Sequence, residues 1–319
     1  MKKKMKLLPK LSRTVQNVMD LTFYTKAPMW YNNFAENLAI IRKGKDVKEL
    51  PRLDGEPCIC LGAGPSVWKH NHLELLKKWK GKILCCDRML IECLKRGIVP
   101  FAVATVDGDK RIKEFYDDPI VDKYKDEVKA VFSAVTVHPE VVRRCPFEKY
   151  WFVPIYDDPR KPKSLTFALY YLSGEKSLLV TGGNVGTFIF NLAYFLGCNP
   201  IILVGYDYSY SVETPPEKTP YWFAYLQLCK WDYEKAKKLF VIEENPYFKT
   251  KYMLDLMFKV YREILAFYLK QLPNNIQVIN ATEGGSLHMP EVKCLSLKEV
   301  IENIKKKILK KEEKHFRDK

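Results

Sequence analysis

Short apolar runs alternate with amphipathic stretches along most of the chain from Cys58 onward. Each run is apolar throughout, which is typical of strands in a sheet that is covered on both faces. Helical stretches lie between several runs, among them Arg88 to Lys95 and Val185 to Leu196, which Gly197 would end as a C-cap residue. The alternation predicts an α/β fold with a doubly wound, mostly parallel sheet and helices on both faces, and a ligand site beyond the carboxyl ends of the strands. The predicted strands span residues 58–62, 82–87, 101–107, 128–137, 177–183, 200–207 and 275–280.

Two regions fall outside this alternation. Residues 11–50 carry apolar side chains at three- or four-residue spacing and predict an N-terminal helical cap. After residue 211 the chain is rich in Tyr, Trp and Pro and then turns helical over 231–240 and 249–271, which predicts an insertion that could form a lid or an acceptor wall. The expected division is therefore a helical and basic extension at 1–50, a nucleotide-binding domain at 51–211, a helical insertion at 212–274, and a closing strand, helix and basic tail at 275–319.

The longest uncharged stretch lies between Lys176 and Asp207 and has the length of a membrane span. Several glycines and Pro200 interrupt it, so we interpret it as two buried strands that flank a buried helix. No apolar run of signal-peptide length follows the basic start, and the nine cysteines are irregularly spaced. We therefore expect a cytoplasmic protein without a transmembrane segment.

Composition and charge narrow the class of protein. Apolar residues make up 47% of the chain, enough for a sizeable core, which excludes wholesale disorder. The net charge is +15, but residues 1–10 carry +5 of it and residues 298–319 carry +4. An excess concentrated in the tails does not favour nucleic-acid binding, whereas weak contact of the tails with a membrane surface and oligomerisation stay open.

A glycine turn, Gly62-Ala-Gly64-Pro65-Ser66, follows the first predicted strand. Glycines let the backbone approach a ligand closely, and the start of the next helix presents N–H groups to phosphate. Val67 stands where a dinucleotide fingerprint requires a third glycine, and the chain contains no P-loop. These departures argue against NAD and leave two interpretations, a phosphate site or a tight turn without ligand.

Carboxylates follow the second and third predicted strands. Asp87 ends one strand, and Asp107 and Asp109 bracket a glycine after the other. At the ligand edge of a sheet such acids can bind ribose hydroxyls or a Mg²⁺ ion that bridges phosphates. The alternatives are a helix N-cap for Asp87 and turn chemistry for the Asp107 pair.

A second glycine turn, Gly182-Gly183-Asn184, again follows a strand and begins a helix, so it could form a second anion or base pocket. The sixth strand brings Asp207 and Tyr210 to the same edge. Core packing is the alternative explanation of these glycines.

Of the histidines, His138 and His288 are candidate site groups, and His70 and His72 near the first glycine turn could reach phosphate. A lone histidine is more often structural, and His70 and His72 have no metal-ligand partners at usable spacing.

Several of these motifs, taken in chain order, resemble the 6-hydroxymethylpterin diphosphokinase MptE-like family over about residues 50–211. The same domain is similar to the core of the motility-associated factor glycosyltransferases and, in outline, to bacterial CMP-sialic acid transferases. The motifs are GAGPS, the strand that ends at Asp87, RGIVPFAVATVDGD and TGGNVGTFIFNLAYFLGCNPIILVGYDYSY.

The first resemblance implies a Rossmann-like domain that binds Mg²⁺ and ATP and transfers diphosphate to the hydroxymethyl oxygen of a reduced pterin, releasing AMP. The first glycine turn would then hold phosphates, Asp107 and Asp109 would bind Mg²⁺, and Asp87 would bind ribose or orient the pterin. Catalysis would consist mostly of positioning and charge neutralisation.

The transferase resemblance implies instead a CMP-sugar held by both glycine turns. Tyr208 or Tyr210 would donate to the departing phosphate, and His288 would be the base for the acceptor hydroxyl. The segment WYNNFAENL, which resembles the one that precedes this domain in the motility-associated factors, favours this version. A nucleotide-binding module without turnover is the third interpretation.

Overall fold

The structure is a computed structural model that describes residues 8–9 and 13–306, with the backbone alone for residues 13–22. Its centre is a ten-stranded sheet in which every pairing is parallel. The strands of this sheet are β1 (Lys45–Asp46), β2 (Cys58–Leu61), β3 (Lys82–Cys86), β4 (Ala102–Thr105), β5 (Lys129–Ser133), β6 (Glu148–Pro154), β7 (Leu178–Leu179), β8 (Ile201–Val204), β11 (Val278–Asn280) and β12 (Lys293–Cys294).

The order of the sheet is β1-β6-β5-β4-β3-β2-β8-β11-β12, and β7 pairs with β6. From β2 the chain adds strands in one direction as far as β6 and then returns to the other side of β2 with β8. The topological switch point therefore lies between β2 and β8, where a crevice opens at the carboxyl ends of the strands.

Helices cover the sheet, and one large hydrophobic core runs from Phe34 to Ile304. The doubly wound α/β prediction is confirmed. The α-helices are α1 (Arg13–Lys43), α2 (Ser66–Lys69), α3 (His72–Leu76), α4 (Leu90–Leu94), α5 (Pro119–Lys123), α6 (Pro139–Arg144), α7 (Leu165–Leu172), α8 (Val185–Phe195), α9 (Trp222–Leu228), α10 (Tyr233–Lys237), α11 (Leu256–Leu269) and α12 (297–306).

Helix α1 forms the predicted N-terminal cap and packs over the carboxyl edge of the sheet. The Asn33 side-chain amide donates to the carbonyl oxygens of Gly108 (3.1 Å) and Thr136 (2.8 Å). One turn further on, the Asn37 amide donates to the Val137 carbonyl at 2.9 Å. Both asparagines are buried, so these bonds fix α1 against the loops that follow β4 and β5.

The stretch between Lys176 and Asp207 folds as predicted into two strands, β7 and β8, around the buried helix α8, which Gly197 ends with a left-handed φ of 88°. No helix among the described residues is long and apolar enough to cross a membrane.

Other predicted elements differ from the structure. The run over 128–137 leaves the sheet at Ser133, whose hydroxyl accepts from the Thr136 N–H in a turn. Strand β6 was not predicted, because Glu148 and Lys149 at its start and Pro154 at its end leave only a short apolar run between them. The predicted helix over 249–271 is wrong in its first part, since residues 251–254 form a strand and α11 begins at Leu256.

The insertion after β8 has its own small core around Trp222, Tyr225 and Met257. Within it, β9 (Val241–Glu244) and β10 (Lys251–Leu254) form an antiparallel hairpin separate from the main sheet. The hydroxyl of Tyr210 donates to the Asp255 carboxylate at 3.0 Å, and that carboxylate caps α11. This hydrogen bond therefore joins Tyr210, which lies shortly after β8, to the start of α11.

Candidate functional site

The first glycine turn lies at the switch point, and an internal carboxylate binds its donors. The Ser66 N–H donates to Asp207 Oδ1 at 3.2 Å, and the Ser66 hydroxyl donates to Oδ2 at 2.6 Å. A side chain at Gly64 would overlap this carboxylate, and one at Gly62 would come within 2.7 Å of the Gly205 carbonyl oxygen. The glycines thus allow β2 and β8 to continue side by side into a buried contact between residues 66 and 207.

The Asp207 carboxylate is only 5% exposed. Burial raises its pKa to about 6 even though the hydrogen bonds from Ser66 lower it. The loop after β11 covers this crevice, because the Ser286 N–H donates to the Asp207 carbonyl oxygen at 2.8 Å and Gly285 packs directly on the Asp207 backbone. In this conformation the Ser66 donors bind the protein's own anion.

A cavity of about 550 Å³ lies further along the same edge, at the carboxyl ends of β4, β5, β6 and β7. Residues of α1 and of α11 form two of its walls. The lining residues are Leu8, Pro9, Phe23, Tyr24, Trp30, Val106, Ser133, Thr136, Pro154, Ile155, Tyr156, Asp157, Leu165, Thr181, Gly182, Gly183, Met257, Tyr261, Ile264 and Tyr268. Its volume is within the range of small-molecule sites.

The second glycine turn forms part of the floor of this cavity. Gly182 and Gly183 adopt left-handed φ angles of 63° and 81°, and a Cβ at Gly183 would lie 3.2 Å from the Tyr261 ring. Asn184 caps α8 by accepting from the Thr187 N–H at 2.9 Å. The positive end of an eleven-residue helix therefore begins beside the cavity.

Tyr208, which follows β8, contacts the side chains at the start of α8. The Tyr208 hydroxyl lies 3.0 Å from the Thr187 hydroxyl and 3.4 Å from Asn184 Oδ1. Tyr208 therefore positions the start of α8.

Of the two acids after β4, Asp107 is exposed and accepts from the Asp109 N–H at 3.0 Å within the turn, and the Asp109 carboxylate is engaged by its own neighbours. Asp109 caps a short 3₁₀-helix and forms a bidentate pair with Arg111 at 2.7 and 3.1 Å, which lowers its pKa to about 2. Asp107 follows Val106, which lines the cavity. Burial raises the pKa of Tyr261, and the negative charges of Asp255 and Asp107 raise it further. The described residues contain no group of three or more His, Cys, Asp or Glu side chains that could bind a metal ion among themselves.

Asp87 lies inside the sheet edge, at the end of β3. It accepts from the Thr105 hydroxyl (2.9 Å) and the Arg88 N–H (2.8 Å), and Thr105 in turn contacts the Tyr116 hydroxyl at 2.8 Å. Burial raises the Asp87 pKa to about 6, against the effect of these bonds. Its predicted role toward ribose or pterin stays a prediction.

Sequence comparison matches residues 32–213, more than half of the chain, to the family described as 6-hydroxymethylpterin diphosphokinase MptE-like. The chain belongs to this family. No curated protein matches the sequence significantly. Among solved structures, the MAf glycosyltransferase from Magnetospirillum magneticum AMB-1 has the same fold, with a TM-score of 0.56 and 16% identity over 90% of this chain. The matched part is 43% of that longer protein. Both the family description and the name of this solved structure are those of transferases.

In this MptE-like chain the predicted site residues fall into separate places. Gly62, Gly64, Pro65, Ser66 and Asp207 meet at the switch point. Gly182 and Gly183 line the cavity, and Asn184 follows them as the N-cap of α8.

His288 lies in a third place, on the insertion side of the molecule. Its Nε2 atom is 3.0 Å from the Tyr252 hydroxyl, which donates to Glu243 at 2.7 Å. Burial and the nearby Arg262 lower the His288 pKa. His288 is not among the described residues that line the cavity.

His138 and His72 have structural partners in this family member. His138 caps α6 by accepting from the Glu140 N–H at 3.2 Å. His72 is fully buried and lies 3.1 Å from Glu283, and its ring stacks on His70. These contacts agree with the structural interpretation of His138 and His72.

Sequence reasoning missed the aromatic side chains of the cavity. Phe23 and Trp30 come from α1, Tyr156 from the loop just after β6, and Tyr261 from α11. In the sequence Trp30 is one of the regularly spaced apolar residues of the helical cap predicted over 11–50, and that spacing does not relate it to the sheet edge. Its packing against Gly108, where a Cβ would lie 2.8 Å from the indole, reveals its place at the site.

Proposed function

We propose that this protein is a nucleotide-dependent transferase that moves diphosphate from Mg²⁺-ATP to the hydroxymethyl oxygen of a pterin-type acceptor. The proposal is carried by the cavity at the carboxyl edge, where aromatic rings, the second glycine turn and the exposed carboxylate of Asp107 adjoin. Aromatic rings bind flat rings, a helix start binds phosphate, and a carboxylate binds Mg²⁺. The family description supports the same reaction.

The second glycine turn is the better candidate for the phosphates. The first backbone N–H groups of α8 have no partners within their helix, and Gly182 and Gly183 leave room for a close approach. At the first turn a ligand would have to displace the Asp207 carboxylate from Ser66. We therefore assign phosphate binding to residues 182–186.

Asp107 would bind the Mg²⁺ ion. Magnesium is commonly held by one or two carboxylates together with substrate phosphates, so one exposed carboxylate beside the phosphate position suits it. Asp109 is already paired with Arg111 and serves the turn. When bound, the ion would neutralise charge on the phosphates as they are transferred.

The transfer itself asks little covalent chemistry of the chain. The acceptor oxygen bonds to the β-phosphorus, the bond from that phosphorus to the oxygen shared with the α-phosphate breaks, AMP leaves, and the hydroxyl proton passes to water. The walls of α1 and α11 would hold the two reactants in line and limit their motion.

A glycosyl transfer from a CMP-sugar is the second candidate. In that reaction the acceptor oxygen bonds to the anomeric carbon while the bond from that carbon to the phosphate oxygen breaks, which releases CMP. One observation favours it: the likeness to the MAf glycosyltransferase covers 90% of the chain, more than residues 32–213, and so extends into the flanking segments.

Calorimetric titration with a nonhydrolysable ATP analogue and Mg²⁺, in parallel with CMP, separates the candidates. Mg²⁺-dependent binding of the analogue, followed by AMP release from ATP in the presence of reduced 6-hydroxymethylpterin, is the expected result. Preference for CMP would move the assignment to glycosyl transfer. Binding of nucleotide without turnover of either donor would identify a binding module.

Two matched pairs of variants test the assigned residues. Gly183→Ala strains the backbone and intrudes on Tyr261, whereas Gly97→Ala imposes the same strain (φ 70°) with open space around the added atom. Asp107→Asn removes the proposed ligand, and Asp126→Asn removes another exposed carboxylate. Gly183→Ala and Asp107→Asn should weaken analogue binding about tenfold or more, while both controls should bind normally. Equal affinities within each pair would contradict the assignment.

A further inference from the structure

One side of helix α9 in the insertion is apolar and faces solvent. Trp222 and Tyr225 belong to the small core of the insertion, whereas Phe223 and Leu228 are exposed. Trp231 follows just after the helix, and its ring meets that of Phe223 edge-on at a centroid distance of 5.3 Å. We refer to Phe223, Leu228 and Trp231 as the α9 face.

A strained turn holds Trp231 on this face. Lys230 and Trp231 both adopt left-handed φ angles, of 53° and 65°. Bulky residues rarely adopt this conformation, because it costs free energy unless the surroundings impose it. Here the turn is held by the N–H groups of the two residues, which donate to the carbonyl oxygens of Gln227 (3.1 Å) and Leu226 (2.7 Å). The fold thus keeps a tryptophan in solvent at a conformational cost, which points to a role for its ring.

The charge around the α9 face is positive. Residues 218–231 include two lysines and no acid. The acids on either side of this range are paired with lysines, Asp232 with Lys235 at 2.9 Å and Glu217 with Lys237 at 3.3 Å. An apolar face with a positive border complements a surface that is apolar inside and anionic outside.

The area of the α9 face distinguishes between kinds of partner. Phe223 and Trp231 are 62% and 61% exposed, so their two rings present roughly 250 Å² to solvent. A stable protein interface buries about 800 Å² on each partner, which is far more than this face offers to a second copy of the chain. A few aromatic and leucine side chains beside lysine are, in contrast, typical of proteins that lie on a membrane surface.

We propose that the α9 face is a docking surface for an anionic lipid bilayer. Phe223, Leu228 and Trp231 would enter the headgroup region, where aromatic rings are favoured, and Lys230 would bind headgroup phosphates. The inference goes beyond the proposed function, because it concerns where the protein is held and not which reaction it carries out.

Docking at this face would bring the bilayer close to the cavity. Met257 lines the cavity and packs in the same small core as Trp222 and Tyr225 of α9. A bilayer bound to the outer side of α9 would therefore be separated from the cavity wall by this one helix.

Co-sedimentation of the full chain with vesicles tests the docking surface. One set of vesicles contains phosphatidylcholine and phosphatidylglycerol in equal parts, and the other contains phosphatidylcholine alone. We expect the wild type to bind the anionic vesicles more tightly. Trp231→Asn and Phe223→Ser should each weaken that binding about tenfold, through loss of apolar area, and Lys230→Gln should weaken it about fivefold.

Matched controls separate docking from general effects. Phe167→Ser removes a similarly exposed ring from α7, and Lys125→Gln removes an exposed lysine elsewhere, so both should bind vesicles as the wild type does. Asparagine tolerates a left-handed φ, so Trp231→Asn should unfold at the wild-type urea concentration or above it. A loss of vesicle binding in this variant would then report on the ring and not on the fold.

The outcomes are distinct. Equal binding by wild type, Trp231→Asn and Phe223→Ser would overturn the inference and assign vesicle binding to the basic tails at 1–10 and 298–319. Failure to bind either kind of vesicle, or an equal loss in Phe167→Ser, would also overturn it. A dimer in sedimentation velocity that Trp231→Asn abolishes would assign the face to a second copy instead. Vesicle binding that depends on the α9 face, without any nucleotide binding in calorimetry, would support docking while the transferase proposal fails.

Discussion

The buried contact between Asp207 and Ser66 predicts a specific dependence of stability on pH. Burial raises the pKa of the Asp207 carboxyl from its ordinary value of 3.8 to about 6. Between these values the folded state holds this proton more tightly than the unfolded state does. The protonated Asp207 carboxyl therefore contributes its full stabilisation below about pH 4. This contribution decreases as the pH rises towards the folded-state pKa, and above that pKa the unfolding free energy no longer changes through Asp207.

The difference between the two pKa values corresponds to about 3 kcal/mol of unfolding free energy. Asp207→Asn keeps the shape of the side chain and an oxygen that can accept from the Ser66 N–H, but it cannot ionise. We expect the variant to match the wild type near pH 4 and to be more stable by about 3 kcal/mol at pH 7.

Urea unfolding at intervals from pH 4 to pH 8 measures this difference directly. Asp87 has a similarly raised pKa and contributes to the slope of both proteins, so only the difference between their curves is informative. Asp126→Asn, on the surface, is the control and should parallel the wild type. If the Asp207→Asn curve is also parallel to the wild-type curve, the carboxylate is not ionising from a buried position and the reasoning is refuted.

Three further outcomes are expected. Asn33→Ala should lower the unfolding free energy by about 2 kcal/mol, because two buried carbonyl oxygens lose their donor; a loss below about 0.5 kcal/mol would mean that α1 is not held there. Gly64→Ala should destabilise by about 1–3 kcal/mol, since the added methyl group overlaps the Asp207 carboxylate, and an unchanged melting temperature would contradict that contact. His288→Gln should leave nucleotide affinity unchanged in calorimetry, because His288 lies outside the cavity lining, and a tenfold loss would place it within reach of the ligand.

Much of the fold could be predicted because a parallel sheet is buried on both faces. Runs such as Cys58–Leu61 and Ile201–Val204 are uniformly apolar. A strand needs apolar side chains on both of its faces only where both faces of the sheet are covered, as they are at the centre of a parallel sheet. Strand β6 escaped the same reasoning because Glu148 and Lys149 lie at its exposed start. The hairpin of the insertion escaped because Val241–Glu244 is exposed along its whole length and presents no buried face to the pattern.

The positions of the candidate residues along the chain could be predicted, but not how those residues come together. The glycine turns and acids at strand ends could be located from local spacing. That Asp207 binds the donors of Ser66 could not, because 141 residues separate the two and the contact depends on the pairing of β2 with β8. The place of Phe23 and Trp30 in the cavity wall depends likewise on how α1 lies over the sheet edge, which helical periodicity leaves open.

The outer edge of β6 is shared by two short strands placed end to end. β1 pairs with β6 at Tyr150 and Trp151, and β7 pairs with it at Val153 and Pro154. The buried Asp46 carboxylate joins the two by accepting from the Ser177 N–H at 2.7 Å.

This junction shields the sheet margin from pairing with a foreign strand, which protects against edge-to-edge association. It also ties the entry of the second glycine turn to the end of α1, because β1 follows α1 closely and β7 leads directly into Thr181 and Gly182. A disturbance at this distant margin would therefore be transmitted to both walls of the cavity at once.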